Sequence, residues 1–218
     1  MKKSPVSWFC IFVIGLTVSL FSTRLSAHPH NWIDLRTTAI FDAQGRISAL
    51  RVLWTFDEFY TAFATEGMDM DGDGVPDDAP LRALAAASMK GLAEYSYFTF
   101  MQVNGEPIAH DTVRDIESTF LQGRLGLVFV LPLAQPLDPR KQPLVYRIYD
   151  PTYYIEVLHI RDRPVLFEGD TPEGCAYTIA EAKPDMKVLS LVQSLDTSET
   201  AGDGLGENFA ETVTIHCP

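Results

Sequence analysis

Five aspartates lie within ten residues of one another between Asp69 and Asp78, and they offer the oxygen ligands that a hard cation prefers. The ligand and turn positions of an EF-hand calcium loop are filled by Asp69, Asp71, Asp73, Gly74, Val75 (through its backbone carbonyl) and Asp77. Pro80 stands where an EF-hand has its bidentate Glu, so we expect a weak site, with a dissociation constant of roughly 10⁻⁴ to 10⁻³ M. The alternative is a solvated acidic loop. Because its like charges repel one another without a cation, we predict a structural Ca²⁺ site.

A second candidate metal site lies at His28-Pro29-His30. Neutral imidazole is a common ligand of nickel, cobalt, zinc and copper, and residues i and i+2 of an extended segment point to the same side. If His28 is the first residue of the exported chain, its α-amine adds a third nitrogen, and Pro29 has no N–H for a rival site built on backbone amides. The alternative is a frayed terminus that binds nothing.

His159 is a weaker candidate ligand for the same transition metal, because it shares a predicted strand face with Ile155 and Val157. Its alternative role is that of a core histidine hydrogen-bonded to a backbone carbonyl. The sequence contains no Gly-x-Ser-x-Gly, P-loop or His-Glu-x-x-His motif. We therefore predict a protein that is not an enzyme, and rank a copper oxidase built on His28 only third.

Residues 1–27 have the pattern of a secretory signal peptide: Lys2 and Lys3, an apolar run from Trp8 to Phe21, and small residues up to Ala27. The apolar run is too short for a stable membrane span. We therefore expect a periplasmic or secreted protein that is not inserted in the membrane after cleavage.

Cleavage after Ala27 leaves two cysteines, Cys175 and Cys217, in an oxidising compartment, which predicts a disulfide bond. The loop that it closes is long enough for about 4 kcal/mol of stabilisation in the chain-entropy model. The alternative is a two-cysteine metal or redox site. The formal net charge of -12 argues against nucleic acid as a partner, because phosphate binding needs clustered Lys and Arg.

The strands and helices that position these residues are predicted from the spacing of hydrophobic residues along the sequence. Alternating residues predict short strands from Trp32 onward, with an Asn104-Gly105 hairpin turn. Helical spacing predicts two helices flanking the acidic loop, the first capped by Thr55 and running to about Gly67. We therefore predict an α+β fold: residues 28–218 form one mostly antiparallel β-sandwich domain, immunoglobulin-like in character, with an EF-hand-like helix-loop-helix inserted at about 57–95.

Four segments and the Asp-rich loop together resemble the exported family called domain of unknown function number 1007. The segments are Ala27–Asp34 (AHPHNWID), Trp54–Phe59 (WTFDEF), Glu94–Phe98 (EYSYF) and Tyr149–Tyr154 (YDPTYY). The resemblance spans nearly all of the chain after the predicted signal peptide. It implies a periplasmic component of a transport system, since such proteins occur beside or fused to nickel/cobalt exporter-type membrane proteins, and His28 and His30 match the family's His-Pro-His signature.

Two functional hypotheses follow. The first is a periplasmic transition-metal-binding accessory protein of a nickel, cobalt, zinc or copper transport system, with a membrane transporter as the partner that the resemblance implies. The second is a calcium-stabilised periplasmic protein-interaction module without a transition-metal cargo. Convergence of another histidine or a carboxylate on His28 and His30 would favour the first, and their isolation would favour the second. The sequence does not indicate an oligomeric state.

Overall fold

The computed structural model describes residues 29–195 and 204–218. The predicted signal peptide and His28 lie outside the described residues. Within the described part of the chain, no helix is both long and apolar enough to cross a membrane.

The described residues form two β-sheets and three α-helices, so the predicted mixture of helix and strand is confirmed. The strands are β1 (Asn31–Phe41), β2 (Ile47–Phe56), β3 (Thr99–Val103), β4 (Glu106–Pro107), β5 (Arg114–Leu121), β6 (Arg124–Leu137), β7 (Leu144–Ile148), β8 (Ile155–His159), β9 (Val165–Gly169), β10 (Ala176–Ala180) and β11 (Thr212–His216). The helices are α1 (Glu58–Ala64), α2 (Asp78–Leu92) and α3 (Met186–Ser194). β9 and α3 were not predicted from the sequence.

The first sheet has the strand order β5-β6-β2-β1-β8, and β9 also pairs with β1. The pairs β5–β6, β6–β2 and β2–β1 are antiparallel, as expected. The other edge of β1 differs, because its first half pairs in parallel with β8 and its second half pairs in parallel with β9. Parallel pairing needs a long connection, and here the chain between β1 and β8 includes the whole helical insertion and strands β2 to β7.

The second sheet has the order β10-β11-β7-β3-β4, and all of its pairs are antiparallel. Its β3–β4 hairpin turns at Asn104 (φ 52°) and Gly105 (φ 82°), which confirms the hairpin predicted from this dipeptide. Both residues take the left-handed conformation that a tight hairpin turn requires.

One hydrophobic cluster contains residues of both sheets, including Trp54 and Phe129 from the first sheet and Tyr146 from the second. Trp54 is 2 % exposed, and its ring lies 5.4 Å from that of Phe129. The hydroxyl groups of Thr37 and Tyr146 are hydrogen-bonded at 2.6 Å across the space between the sheets. Burial raises the pKa of Tyr146, so this phenol remains protonated.

Helices α1 and α2 lie between β2 and β3 in the chain, so the predicted helix-loop-helix insertion is present. In α2, Leu81, Ala85 and Met89 are buried at the four-residue spacing of one helix face. The predicted Thr55 cap is wrong, because Thr55 still pairs with Gly126 in the sheet. Asp57 caps α1 instead, since its carboxylate accepts the N–H of Tyr60, and the helix ends at Ala64 rather than near Gly67.

Cys175 and Cys217 form a disulfide bond, as predicted. Cys175 directly precedes β10 and Cys217 directly follows β11, and these two strands pair from Ala176 opposite His216. The bond therefore fastens the C-terminal end of β11 to the start of β10, the edge strand of the second sheet.

Candidate functional site

The acidic loop between α1 and α2 folds around the carboxylate of Asp69. One oxygen accepts the N–H of Gly72 at 2.7 Å and the other accepts the N–H of Gly74 at 2.9 Å. These hydrogen bonds, the one from Gly74 above all, hold the pKa of Asp69 below its ordinary value. Gly74 has a φ of 86°, which is the left-handed conformation expected at the sharp turn of the loop.

Asp69, Asp71 and Asp73 each place a carboxylate oxygen within 4.8 Å of the other two. The three side chains are exposed, and such a group also occurs in proteins where no ion is bound. Three negative oxygens at this spacing can act as ligands of one hard cation. The structure thus brings together the first three predicted calcium ligands.

The other loop positions considered in the sequence, Val75, Asp77 and Pro80, do not belong to this group of three carboxylates. Asp77 precedes the first residue of α2 and accepts the N–H of Met70 at 2.8 Å, so its carboxylate bridges the two ends of the loop. Val75 donates its N–H to Asp73 at 2.8 Å, and its carbonyl is the predicted backbone ligand. Pro80 is the third residue of α2, where a proline needs no partner for its missing N–H.

His30 lies just before β1 and is held in place rather than frayed. Its backbone N–H donates to the carbonyl of Tyr154 at 2.9 Å, and the two rings are 4.6 Å apart between centroids. The side chain is half-buried. His28 lies outside the described residues. Of the predicted ligands, which are two imidazoles and an α-amine, the structure therefore describes only the imidazole of His30.

His30 and His159 lie at opposite ends of the segment over which β1 and β8 are paired. β1 and β8 run in register from Asn31 opposite Ile155 to Leu35 opposite His159. Four residues of extended chain correspond to roughly 13 Å. Among the described residues, the acidic loop contains the one group of three or more metal-ligating side chains, and neither His30 nor His159 belongs to such a group.

His159 is instead joined to Glu211, which sequence reasoning missed. The Glu211 carboxylate accepts hydrogen bonds from the ring Nδ1 and from the backbone N–H of His159, both at 2.8 Å. Burial alone would raise the pKa of Glu211, but these two hydrogen bonds lower it below its ordinary value. Nε2 of His159 is buried, with no hydrogen-bond partner within residues 29–195 and 204–218.

The His159–Glu211 pair joins the two sheets, because His159 ends β8 and Glu211 immediately precedes β11. A histidine fixed by a carboxylate through one ring nitrogen is the usual arrangement in metal sites, since the second nitrogen then keeps its lone pair. No sequence signal links these two residues, because they lie in different elements far apart in the chain.

Other residues in the segments that carry the family resemblance organise the start of β1. Asp57 accepts the N–H of Trp32 at 3.0 Å, while Asp34 pairs with Arg124 at 2.6 Å. The buried carboxylate of Asp150 accepts the N–H groups of Thr152, Tyr154 and Ile155 at 2.9 to 3.1 Å, and so shapes the turn that precedes β8. Each of these three acids therefore already has a hydrogen-bond or ion-pair partner within the fold.

Two relatives align with this sequence over long stretches. An uncharacterized protein of Haemophilus influenzae (strain ATCC 51907 / DSM 11121 / KW20 / Rd) is 26% identical over 208 residues, covering 94% of this chain and 97% of that protein. An uncharacterized 15.5 kDa protein in the trpE 3' region of Spirochaeta aurantia is 26% identical over 122 residues, covering 56% of this chain and 86% of that protein. The family described as protein of unknown function (DUF1007) matches residues 13–217. Since this match covers nearly the whole sequence, the chain belongs to the DUF1007 family.

Proposed function

We propose that the protein is an exported, calcium-stabilised binding module of the periplasm. The observation that carries the proposal is the convergence of the Asp69, Asp71 and Asp73 carboxylates within 4.8 Å in the loop between α1 and α2. In this proposal the two sheets are the layers of an immunoglobulin-like β-sandwich domain, and the insertion is its EF-hand-like unit. The core shared by both sheets and the Cys175–Cys217 bond support that view.

The calcium site is a weak one in this proposal. Pro80 removes the bidentate ligand, and Asp77 and water complete the oxygen shell around the three carboxylates and the carbonyl of Val75. A dissociation constant of about 1 mM suits a compartment outside the cytoplasm, where such sites act as structural staples. The ion would neutralise the repulsion of the exposed acids and fix the two helices relative to each other.

Thermal unfolding of the exported chain in the presence of calcium tests the proposal. If the dissociation constant is about 1 mM, about 10 mM calcium adds about 1.4 kcal/mol and raises Tm by about 3 °C. The rise should be absent with Asp71→Asn or Asp73→Asn. Glu66→Gln removes the same charge from an exposed position outside the group of three, and should keep the rise. A Tm that does not respond to calcium, or that responds equally to magnesium, would refute the proposal.

A second function is favoured by the position of His30. His30, which directly precedes β1, is anchored on Tyr154, and His28 lies two residues before it in the sequence. We infer that the terminus holds nickel, cobalt, zinc or copper through the α-amine, His28 and His30. The protein would then be the metal-binding accessory of a membrane transporter, as the family resemblance implies.

Three chains titrated with the same metal separate this function from the first: the native chain from His28, the same chain with one extra residue before His28, and His30→Ala. Both changes should weaken binding, and acidification toward about pH 5 should release the metal as the imidazoles are protonated. Equal affinity across all three chains would show that the terminus is not the site.

A further inference from the structure

A cavity of about 450 Å³ lies beside β3 and β7 of the second sheet. Its other walls are the turn of residues 93–98, which follows α2, and the chain that follows β4. A volume of this size, with aromatic side chains and a few polar ones, is typical of sites for small molecules. The polar and aromatic side chains of the lining include Ser96, Phe100, Gln102, His110, Arg147 and Tyr149.

The strand pattern places two of these side chains outside the core. Met101, Tyr146 and Ile148 are at most 4 % exposed and belong to the core between the sheets. Phe100 and Arg147 alternate with them along β3 and β7, and the two residues are paired opposite each other. Because successive side chains of a strand point to opposite faces, both lie on the outer face of the sheet.

The guanidinium group of Arg147 can be reached by a ligand. It pairs with Glu207 through Nη1 at 2.8 Å, and 27 % of the side chain remains exposed. Within residues 29–195 and 204–218, none of its nitrogens is among the buried side-chain atoms that have no partner. The group lies 5.9 Å from the centre of the Tyr149 ring, which stacks on Phe100 at 4.5 Å. An accessible positive charge therefore lies beside two stacked rings.

The charge of the lining favours an anion. Arg147 is always positively charged, and neither Asp nor Glu belongs to the set that lines the cavity. Burial raises the pKa of Tyr149, so its phenol remains neutral. The formal net charge of -12 repels anions at long range, but salt screens charges that lie farther away than about 8 Å. A carboxylate in the cavity would meet Arg147 as its nearest charged lining residue.

The turn that forms one wall has a strained backbone. Ser96, Tyr97 and Phe98 have φ values of 53°, 52° and 56°, so three consecutive residues other than glycine are left-handed. Each such residue costs free energy, and strain of this kind concentrates at binding sites. The turn brings Ser96 to the cavity and places the ring of Tyr97 5.4 Å from that of His110, another lining residue.

We propose that this cavity binds a small carboxylate with a flat aromatic body. The guanidinium group of Arg147 binds the carboxylate, and the flat body packs on the rings of Phe100 and Tyr149. The site gives a role to Ser96 and Tyr149, which lie in segments that carry the family resemblance. It goes beyond both proposed metal functions and is independent of them, since no residue of the acidic loop and no residue before β1 lines the cavity.

The test compares 2-naphthoate with 2-naphthamide, two probes of nearly equal size that differ in charge. In NMR titrations of the exported chain without calcium, 2-naphthoate should bind about five to ten times more tightly, because hydrogen bonds between two charged groups are the stronger ones. The shift changes should centre on residues 96–102 and 147–149. If neither probe binds, if both bind equally, or if the changes centre elsewhere, the proposal is wrong. Leaving calcium out keeps this result separate from the test of the calcium site.

Arg147→Gln should remove the preference for 2-naphthoate. The matched control is Arg161→Gln, which removes the same charge from an exposed position outside the cavity and should keep the preference. A preference that survives in Arg147→Gln would overturn the proposal.

A second variant keeps the test valid if Arg147→Gln does not fold. Glu207→Gln removes the half-exposed carboxylate that competes for Arg147 and repels a bound anion. It should bind 2-naphthoate about two to five times more tightly than the native chain, with the affinity for 2-naphthamide unchanged. An equal or lower affinity for 2-naphthoate would show that Arg147 does not bind the carboxylate.

Discussion

β1, β2 and β6 form the buried centre of the first sheet, whereas the acidic loop is exposed from Asp69 to Val75. The strands are held by continuous ladders and by side chains such as Leu50 and Phe129 that are fully buried. The loop is held by hydrogen bonds between aspartates and nearby backbone N–H groups. Burial stabilises the sheet whether or not an ion is present, while the loop depends on what neutralises its charges.

The two regions also differ in whether their carboxylates have partners within the protein. In the sheet region, Glu211 is paired with His159 and shielded from solvent. In the loop, three carboxylates face one another in water. Changes in the sheet region should therefore lower global stability whether or not an ion is present, and changes in the loop should act mainly through the ion.

The largest effect should come from the buried centre. Phe129→Ala removes a ring packed against Trp54 and leaves a cavity, which should cost about 3 to 5 kcal/mol in the free energy of unfolding. Phe63→Ala, on α1 where the side chain is 74 % exposed, should change it by less than about 0.5 kcal/mol. Urea unfolding measures both. Similar losses in the two variants would show that the insertion is as tightly packed as the sheet.

Removing the disulfide should have the next largest effect. Replacing Cys175 and Cys217 together with Ser should cost about 2 to 4 kcal/mol, because the unfolded chain regains the freedom of a long loop. Urea unfolding of the double variant beside the oxidised protein measures this loss. Thiol titration of the denatured, unreduced exported chain should find no free thiol; two free thiols would mean that the bond does not form.

A smaller effect is expected at the His159–Glu211 pair. Glu211→Gln weakens two hydrogen bonds to a buried histidine and should cost about 1 to 2 kcal/mol near neutral pH. Glu207→Gln is the control, because its ion pair with Arg147 is half-exposed and should contribute less.

The loss should depend on pH in a definite direction. The pKa of Glu211 is lower in the folded protein than its ordinary value of 4.5, so its charge stabilises the folded state above that value. This stabilisation disappears as the pH falls through the folded-state pKa. The difference between wild type and Glu211→Gln should therefore be constant near neutral pH and shrink below about pH 4.5. A difference that grows below about pH 4.5 would contradict the pairing.

The smallest effect should be local. About 10 mM calcium should slow amide hydrogen exchange most between Asp69 and Asp77 and in α1 and α2, where local opening releases the ion, while β1 and β2 should slow by no more than the about tenfold that the gain in global stability gives. Asp69→Asn should remove this protection, and Glu66→Gln should keep it. Protection spread evenly over both regions would show that the ion stabilises the whole fold and not the insertion alone.

Features that depend on near neighbours in the chain were predictable from the sequence. The Asn104-Gly105 turn and the two helices around the acidic loop follow from local conformational preference and period. The Cys175–Cys217 bond followed from counting, since two cysteines in an oxidising compartment have one possible partner each.

Features that depend on which distant segments meet were not predictable. The apolar run Val165–Phe167 does not reveal that it will pair in parallel with β1, because both parallel and antiparallel strands bury such residues. The cap of α1 was misassigned because Thr55 and Asp57 are both good capping residues, and the pairing of β2 decides between them. Glu211 could be linked to His159 only through the packing of one sheet on the other.

The parallel pairing of β1 with β8 and β9 has a consequence for the order in which the chain folds. β1 is made before the other described strands, but one of its two edges stays open until residues 155–169 have also been made. Closing such long-range contacts is slow, because most of the chain must be ordered before the contacts form. A fold that closes late leaves the nascent chain unfolded for longer, which suits the export proposed above.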